Sequence, residues 1–337
     1  MRKWVWIVGI IVILIIAGSI VKRIKNQNPV ISGPGDYDLF LDHDGLKREY
    51  LVHVPPSYDG SKKMPVIIMI HGGGGNAESM ERYVLIDKVA DREGFLVVYP
   101  EGTGKTVLGT KIFSFDAGRC CTPGKVDDVG FFSKMIDKLG EDFTIDKKRV
   151  YATGISNGAQ MSYRLACELS DKITAIAPVS GIGFTPNCLL KRPVPTLHIH
   201  GDSDPCEPYN GGMTGGSCTK EFLKAFFNVD YKAPLVEVES VPQFIEEWKT
   251  TNNLPQDSKV SFRENDVTCE TSSDSKSEVT LCTIEGGGHM WPGESYGDPC
   301  KRGMDTKLCK TYISILGEKS DWYSDQYIWD FFKKYSL

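Results

Sequence analysis

The stretch Arg149-Val-Tyr-Ala-Thr-Gly-Ile-Ser-Asn-Gly158 decides the fold of this chain. Its first half, Arg149 to Thr153, predicts a short buried strand. Asn157 to Leu169 predicts a helix, because apolar side chains recur about one turn apart on one side. Between them lies a G-x-S-x-G pentapeptide, which at a sharp strand-to-helix turn presents the serine hydroxyl at the tip of the strand. Ser156 is therefore the candidate nucleophile, and the competing interpretation is a helix cap at a tight turn.

The composition is that of an ordinary globular protein. The chain has 337 residues, of which 41% are hydrophobic and 25% are charged. The formal net charge of −5 argues against a nucleic-acid partner.

Residues 1–25 form a separate unit. Arg2 and Lys3 precede an uncharged apolar run from Trp4 to Val21, and basic residues follow it. This pattern predicts a secretory signal or a single membrane helix, and the length of the run favours an uncleaved anchor. Residues 26–36 are polar and predict a linker, so we expect the folded domain to span residues 37–337.

Ten cysteines lie beyond the anchor, and their even number predicts disulfides and an oxidising, extracellular compartment. Cys206 with Cys218, Cys269 with Cys282, and Cys300 with Cys309 are plausible local pairs. Neither C-x-x-C pairs nor histidines at zinc-ligand spacing are present, so we expect no metal and no cofactor.

Strands and helices alternate at the spacing of right-handed crossovers, which predicts a mostly parallel sheet with helices on both faces. Ligands bind such sheets at the carboxyl ends of the strands. The expected strands are Val66–Ile70, Phe95–Tyr99, Ile173–Val179 and Thr196–His200, and the expected helices are Ala77–Arg92 and Asp128–Asp142.

The remaining segments are less regular. A hairpin is expected from Tyr37 to Val54, a long loop at Glu101–Val126, and cysteine-containing insertions at Asp202–Ser240 and Pro292–Ser320. Further expected elements are a helix at Val241–Asn252, strands at Val260–Glu264 and Val279–Ile284 with a turn at Cys269–Lys276 between them, and a terminal helix at Asp325–Tyr335.

A serine nucleophile needs a base and an orienting carboxylate. Where a G-x-S-x-G turn carries the nucleophile of a mostly parallel sheet, the acid and then the histidine follow the serine along the chain. Only His289 of the six histidines comes late enough, in Gly286-Gly-Gly-His-Met-Trp-Pro-Gly293. Asp204 is the preferred acid because Pro205 restricts it to an extended conformation. Asp202 and Glu207 are the remaining candidates for the acid, with Asp202 expected to bond turn amides.

An oxyanion also requires fixed N–H donors. One should be the amide of Asn157, directly after the nucleophile, and the other should come from the glycine-rich loop after Val66–Ile70. Gly73 is the first choice there and Gly74 the second. His71 is expected to brace this loop at the substrate site rather than to act as a catalyst, and a phosphate-binding role lacks the expected Gly-Lys-Ser/Thr ending.

The assembled motifs resemble the polyhydroxybutyrate depolymerase-like and feruloyl esterase group of α/β-hydrolases, often placed in carbohydrate esterase family one. The matching segments are His71-Gly-Gly-Gly-Gly-Asn76, Val126-Asp-Asp-Val-Gly-Phe131, Gly154-Ile-Ser-Asn-Gly158, Tyr163-Arg-Leu-Ala-Cys167, His200-Gly-Asp-Ser-Asp-Pro205 and Gly287-Gly-His-Met-Trp-Pro-Gly293.

This resemblance implies an α/β-hydrolase fold and a secreted or surface-anchored serine esterase with Ser156, Asp204 and His289 as its triad. It also implies that Trp291 lies beside an acyl pocket. Hydroxycinnamoyl esters on plant polysaccharide are the favoured substrate, with polyester oligomers and acetyl esters as rivals. Two competing hypotheses are a serine peptidase and an inactive glycan-binding protein.

Overall fold

The computed structural model describes residues 28, 31, 33–107, 109–118, 126–183, 188–214, 217–228, 230, 236–293 and 306–337. The expected N-terminal helix lies outside these residues, as do Cys120, Cys121, Cys300 and linker positions 26, 27, 29, 30 and 32. No helix within them is both long and apolar enough to cross a membrane.

A ten-stranded sheet forms the centre of the fold, in the order β1-β2-β4-β3-β7-β8-β9-β14-β13-β12. Six consecutive strands in this order run parallel, namely β4, β3, β7, β8, β9 and β14. Antiparallel strands flank them on both sides. These ten strands are β1 (Gly35–His43), β2 (Leu46–Val54), β3 (Met64–Ile70), β4 (Leu96–Pro100), β7 (Ile145–Ile155), β8 (Ala175–Val179), β9 (Thr196–Gly201), β12 (Lys259–Glu264), β13 (Val267–Ser273) and β14 (Glu278–Ile284).

Two short antiparallel pairs lie outside this sheet. They are β5 (Thr103–Val107) with β6 (Thr110–Ser114), and β10 (Gly212–Thr214) with β11 (Val236–Val238). The described helices are α1 (Ala77–Tyr83), α2 (Ile86–Glu93), α3 (Asp128–Asp142), α4 (Asn157–Glu168), α5 (Ser217–Phe227), α6 (Val241–Thr251), α7 (Lys307–Leu316) and α8 (Ser324–Phe332).

The central strands are apolar because both of their faces are covered. Every residue of β3, β4, β8 and β9 is buried. Side chains of α3, α4 and α6 pack on one face, and those of α1, α2 and α8 pack on the other. The expected mostly parallel sheet with helices on both faces is thus confirmed.

The structure corrects several expected boundaries. The helix expected at Ala77–Arg92 is two helices, because the backbone is extended at Val84, where α1 ends. The segment expected to form the turn Cys269–Lys276 largely belongs to β13, whose alternating burial places Cys269 against Cys282 of β14. The long loop expected at Glu101–Val126 contains the β5–β6 hairpin, and the two insertions contain α5 and α7.

Three disulfides are formed among the described residues. Cys206–Cys218 and Cys269–Cys282 confirm two expected pairs, and Cys167–Cys188 is an additional one. Cys309 is also disulfide-bonded.

Candidate active site

Ser156 lies on a strained turn between β7 and α4. Its φ of 57° and ψ of −121° place a residue with a side chain in a region that favours glycine. The amide of Ser156 donates to the carbonyl of Val179 at 2.9 Å, which ties the turn to β8. Ser156 is only partly buried and directly follows the last residue of β7, so it lies at the carboxyl edge of the sheet.

The two glycines of the pentapeptide are required by close packing. A Cβ atom on Gly154 would lie 2.4 Å from the carbonyl oxygen of Ile70, and one on Gly158 would lie 2.2 Å from the same atom. The turn therefore presses against the end of β3, and only hydrogen fits at both positions.

This packing brings the glycine-rich loop after β3 next to the serine. A Cβ on Gly72 would lie 3.4 Å from Cβ of Ser156. Gly74 donates its amide to the carbonyl of Phe113 at 2.8 Å, so the β5–β6 hairpin already uses that donor. This bond favours Gly73 over Gly74 as the loop's oxyanion donor.

His71 braces the same loop. It is 1% exposed, and burial lowers its pKa to about 4, so the ring is neutral. Its Nδ1 donates to the carbonyl of Gly72 at 2.8 Å, and its Nε2 accepts from the amide of Gly102 at 3.1 Å. Both ring nitrogens are thus engaged by backbone groups, which leaves neither of them for proton transfer.

The side chain of Asn157 makes a second brace, which sequence reasoning missed. Its Oδ1 accepts from the amide of Phe115 at 2.8 Å, and its Nδ2 donates to the Phe115 carbonyl at 3.0 Å. The Phe115 ring in turn packs against His71, with the ring centroids 4.7 Å apart. The first residue of α4 and the glycine-rich loop are therefore held by the same buried contacts.

Asp204 and His289 form a buried pair, with Nδ1 of His289 donating to Oδ2 of Asp204 at 2.8 Å. The other carboxylate oxygen accepts from the amides of Cys206 and Glu207 at 2.7 and 2.8 Å. Burial raises the pKa of Asp204, but the His289 ring and these amides outweigh it, so the pKa lies below its usual value. Asp204 therefore remains ionised.

His289 experiences the reciprocal effect. Burial alone would lower its pKa, but the Asp204 carboxylate stabilises the protonated ring and raises the pKa above 6.5. The backbone amide of His289 donates to the carbonyl of Leu316 at 2.5 Å. A Cβ on the preceding Gly288 would lie 2.2 Å from that same carbonyl, so the approach to His289 requires glycine there.

The two remaining candidates for the acid lie beside this pair without replacing it. Oδ1 of Asp202 accepts from the amide of Gly286 at 2.8 Å, the turn contact expected of it. Oε1 of Glu207 accepts from Nε2 of Gln160 at 3.1 Å. Between the two aspartates, it is Asp204 that bonds to the imidazole.

The three candidate triad residues share one edge of the sheet, because Ser156, Asp204 and His289 follow the parallel strands β7, β9 and β14. Among the described residues, the Ser156 hydroxyl makes no hydrogen bond to the His289 ring. Such contacts are often loose without substrate. The observed geometry thus contains a buried carboxylate–imidazole pair and a strained serine turn at the same edge of the sheet.

A buried chain of rings stands behind Asp204. The Tyr163 hydroxyl lies 2.9 Å from Nδ1 of His198, Nε2 of His198 lies 3.0 Å from Nδ1 of His200, and Nε2 of His200 lies 2.9 Å from the Glu207 carbonyl. Nε2 of His200 also lies 3.5 Å from Oδ2 of Asp204. Sequence reasoning excluded both histidines as bases, but their spacing of two along a strand already predicts that they share one face.

Trp291 is 1% exposed, and its Nε1 donates to Oδ1 of Asp325 at 3.0 Å. Its backbone amide donates to the Tyr83 hydroxyl at 3.0 Å. These contacts anchor the loop that carries His289; the expected position of Trp291 beside an acyl pocket stays a prediction.

Asp204, Cys206 and His289 each place one possible ligand atom within 4.8 Å of the others. Cys206 is disulfide-bonded and cannot supply a thiolate, and the other two residues bond to each other. The donor set suits proton transfer better than metal binding.

The chain is similar to known esterases in sequence and in fold. Residues 48–204 match the sequence family described as Esterase PHB depolymerase. The NocK protein of Nocardia uniformis subsp. tsuyamanensis is 29% identical over 75% of this chain and 73% of its own length. Feruloyl esterase B of Piromyces equi is 30% identical over 72% of this chain, but the chain spans only 42% of that relative's length. The structure of an acetyl xylan esterase from Aspergillus awamori has the same fold, with a TM-score of 0.54 over 76% of this chain and 94% of that one, at 13% identity.

Proposed function

Because the chain belongs to the polyhydroxybutyrate depolymerase-like and feruloyl esterase group of α/β-hydrolases, we propose that it hydrolyses carboxylic esters through a serine-bound acyl intermediate. The observation that carries the proposal is the buried Asp204–His289 pair at the sheet edge where Ser156 occupies its strained turn. The family and its esterase relatives support ester cleavage.

Ser156 is the proposed nucleophile and His289 its base. Since Nδ1 of His289 donates to Asp204, the neutral ring leaves Nε2 as an acceptor for the serine proton. Serine attack on the ester carbonyl forms a tetrahedral intermediate, and the protonated His289 then donates its proton to the departing alcohol. A water molecule, deprotonated by the same ring, then attacks the acyl-serine, and the ring passes that proton to the Ser156 oxygen as the acid is released.

The amides of Gly73 and Asn157 are the proposed donors to the oxyanion. The bond from Gly74 to Phe113 supports Gly73 over Gly74, because the hairpin already occupies the Gly74 amide. The positive end of α4 adds to this stabilisation.

The proposed substrate is a hydroxycinnamoyl ester of plant polysaccharide, as the name of the Piromyces relative suggests. Acetyl esters of xylan are the second candidate, suggested by the name of a bifunctional acetylxylan esterase/xylanase of Neocallimastix patriciarum that is 31% identical over 48% of this chain. Polyester oligomers remain the third, from the description of the sequence family.

We propose that the domain from residue 37 onward works outside the cytoplasm, secreted or held at a membrane by residues 1–25. Three disulfides among the described residues support an oxidising compartment.

The test is a comparison of the wild-type chain with Ser156→Ala. A fluorophosphonate probe should label wild-type protein only. The rates at which the wild type hydrolyses methyl ferulate, p-nitrophenyl acetate and hydroxybutyrate oligomers then show which acyl group it prefers. Full activity in Ser156→Ala would overturn the proposal. Glycan binding without turnover of any ester would favour an inactive binding protein instead.

A further inference from the structure

A concave site lies beside the loop that carries His289. It is an open groove of about 840 Å³ between the turn that follows β12 and the segment leading into α8. Phe262, Trp322, Tyr323 and Tyr327 contribute aromatic surface to it. None of these residues takes part in the proposed ester cleavage.

Three of these side chains, Phe262, Trp322 and Tyr327, form one connected cluster. The ring of Phe262 lies 4.9 Å from that of Tyr327, and Trp322 lies 5.0 Å from Tyr327, measured between centroids. Tyr323 is 37% exposed, among the more exposed large hydrophobic side chains. The groove therefore offers flat ring surface that water can reach.

Polar side chains surround these rings. Glu264, Asn265 and Gln326 line the same groove. A sugar ring has an apolar face of C–H groups and a rim of hydroxyls. Aromatic surface bordered by carboxylate and amide groups complements both features, as binding sites generally combine apolar walls with a few orienting polar groups.

The charge of the groove selects among polysaccharides. Four acidic residues line it, Glu264, Asp266, Asp321 and Asp330, against the single lysine Lys319. An excess of negative charge repels an anionic polymer. The lining would therefore repel a chain of uronic acids but not a neutral sugar chain.

The groove continues the catalytic edge of the sheet. In sheet order β13 and β12 follow β14, the strand that precedes His289. The amide of Glu285 donates to the carbonyl of Asp266 at 2.8 Å, and that of Gly293 donates to the carbonyl of Ser320 at 3.0 Å. Backbone bonds thus connect both walls of the groove to the loop that carries His289.

We propose that this groove binds the neutral sugar chain of the ester substrate, so that the polysaccharide extends past His289 while its acyl group reaches Ser156. The inference rests on the proposed esterase function for its biological meaning. It assigns the alcohol side of the substrate to a neutral polysaccharide.

Binding is tested in the full chain carrying Ser156→Ala, which prevents turnover. Neutral xylo-oligosaccharides and, separately, polygalacturonate are titrated by calorimetry. We expect saturable binding of the neutral chain, about fivefold weaker binding in Tyr323→Ala and Tyr327→Ala, and no comparable binding of polygalacturonate. Phe40→Ala, on the edge strand β1 at the opposite end of the sheet, is the matched aromatic control and should bind as well as the parent.

The outcomes separate the two proposals. Absence of binding to the neutral chain, equal loss in Phe40→Ala, or tighter binding of polygalacturonate would overturn the groove assignment. Turnover of methyl ferulate by the wild-type chain tests the esterase function independently. Thermal unfolding of each variant identifies any loss that is due to misfolding. In that case Glu264→Lys, an exposed change that reverses one charge, is expected to narrow the preference for the neutral chain over polygalacturonate, and an unchanged preference would overturn the assignment.

Discussion

Nδ1 of His289 lies 2.8 Å from Oδ2 of Asp204, although 85 positions separate the two residues in the chain. The contact forms because β9 and β14 are parallel neighbours, so the residues after their carboxyl ends meet at one edge. Asp204 is 5% exposed and His289 9%, which strengthens their electrostatic interaction.

The first prediction concerns the identity of the acid. Asp204→Asn should lower kcat by about 10³- to 10⁴-fold, because the ring loses the carboxylate that orients it and stabilises its protonated form. Asp202→Asn is the matched control, since an amide oxygen can still accept from Gly286. Steady-state kinetics on p-nitrophenyl acetate checks both, and a larger loss in Asp202→Asn would reverse the assignment.

The second prediction is a pH profile. The base works only when neutral, and the pKa of His289 is raised above its usual 6.5, so kcat/KM should fall as the pH drops through a value above 6.5. Burial lowers the pKa of His289 and Asp204 raises it, so this pKa should be lower in Asp204→Asn. The residual kcat/KM of that variant should therefore fall at a lower pH than that of the wild type. An acid limb at the same pH in both proteins would contradict the attribution to Asp204.

The third prediction treats His200 as a positioning residue. The Glu207 carbonyl can only accept, so Nε2 of His200 carries a proton; burial lowers the pKa of this ring and keeps it neutral, so Nδ1 accepts from His198. His200 thereby fixes the Glu207 backbone, whose amide bonds to Asp204.

His200→Asn removes the bond to Glu207 and should lower kcat about tenfold with little change in KM, because the acid is held less well in its working position. His200→Gln, whose amide nitrogen reaches about as far as Nε2, should recover most of this loss. Loosening the Asp204 loop should also move the acid limb of kcat/KM to lower pH in His200→Asn. A loss of stability without that pH shift would indicate a purely structural role.

The fourth prediction concerns the nucleophile turn. Gly158→Ala would place a Cβ 2.2 Å from the Ile70 carbonyl oxygen and 2.8 Å from that of His71, both rigid backbone atoms. We expect a loss of more than about 3 kcal/mol in unfolding free energy, or no soluble protein. Gly45→Ala, at φ +73° with open space around it, should cost only about 1–2 kcal/mol. Equal costs in urea unfolding would contradict the close packing of the turn.

Local patterns in the sequence predicted the parts of the candidate site that depend on chain order. Motifs and their order along the chain predicted the G-x-S-x-G turn, the preference for Asp204 over Asp202 and the choice of His289. That order is informative because the sheet is parallel, with helices on both faces. The buried run at Val66–Ile70 likewise identified β3, because a strand covered on both faces has no polar positions.

Contacts between distant segments could not be predicted in this way. The β5–β6 hairpin holds the glycine-rich loop through Phe113, but its residues lack the apolar alternation that marks a buried strand. β13 carries Thr and Ser at many of its positions, a composition that favours a turn when the sequence is read alone. The Cys167–Cys188 bridge joins the end of α4 to a loop, and spacing alone does not indicate such pairs.

The fifth prediction separates what a disulfide does for stability from what it does for the site. Cys206–Cys218 and Cys269–Cys282 close loops of nearly equal length, with sequence separations of 12 and 13. In the chain-entropy account, losing either one should cost about 3 kcal/mol. Only the first lies in the acid loop, where the amide of Cys206 donates to Oδ1 of Asp204 at 2.7 Å.

The double variant Cys206→Ser/Cys218→Ser should therefore lose activity at temperatures where it is still folded, whereas Cys269→Ser/Cys282→Ser should lose stability alone. Thermal unfolding measures the stability of each variant, and kcat is measured at the same interval below each midpoint. Equal kcat in the two variants would show that the acid loop keeps its shape without the bridge, because loss of the Cys206–Cys218 bond would then have no more effect on Asp204 than loss of the Cys269–Cys282 bond.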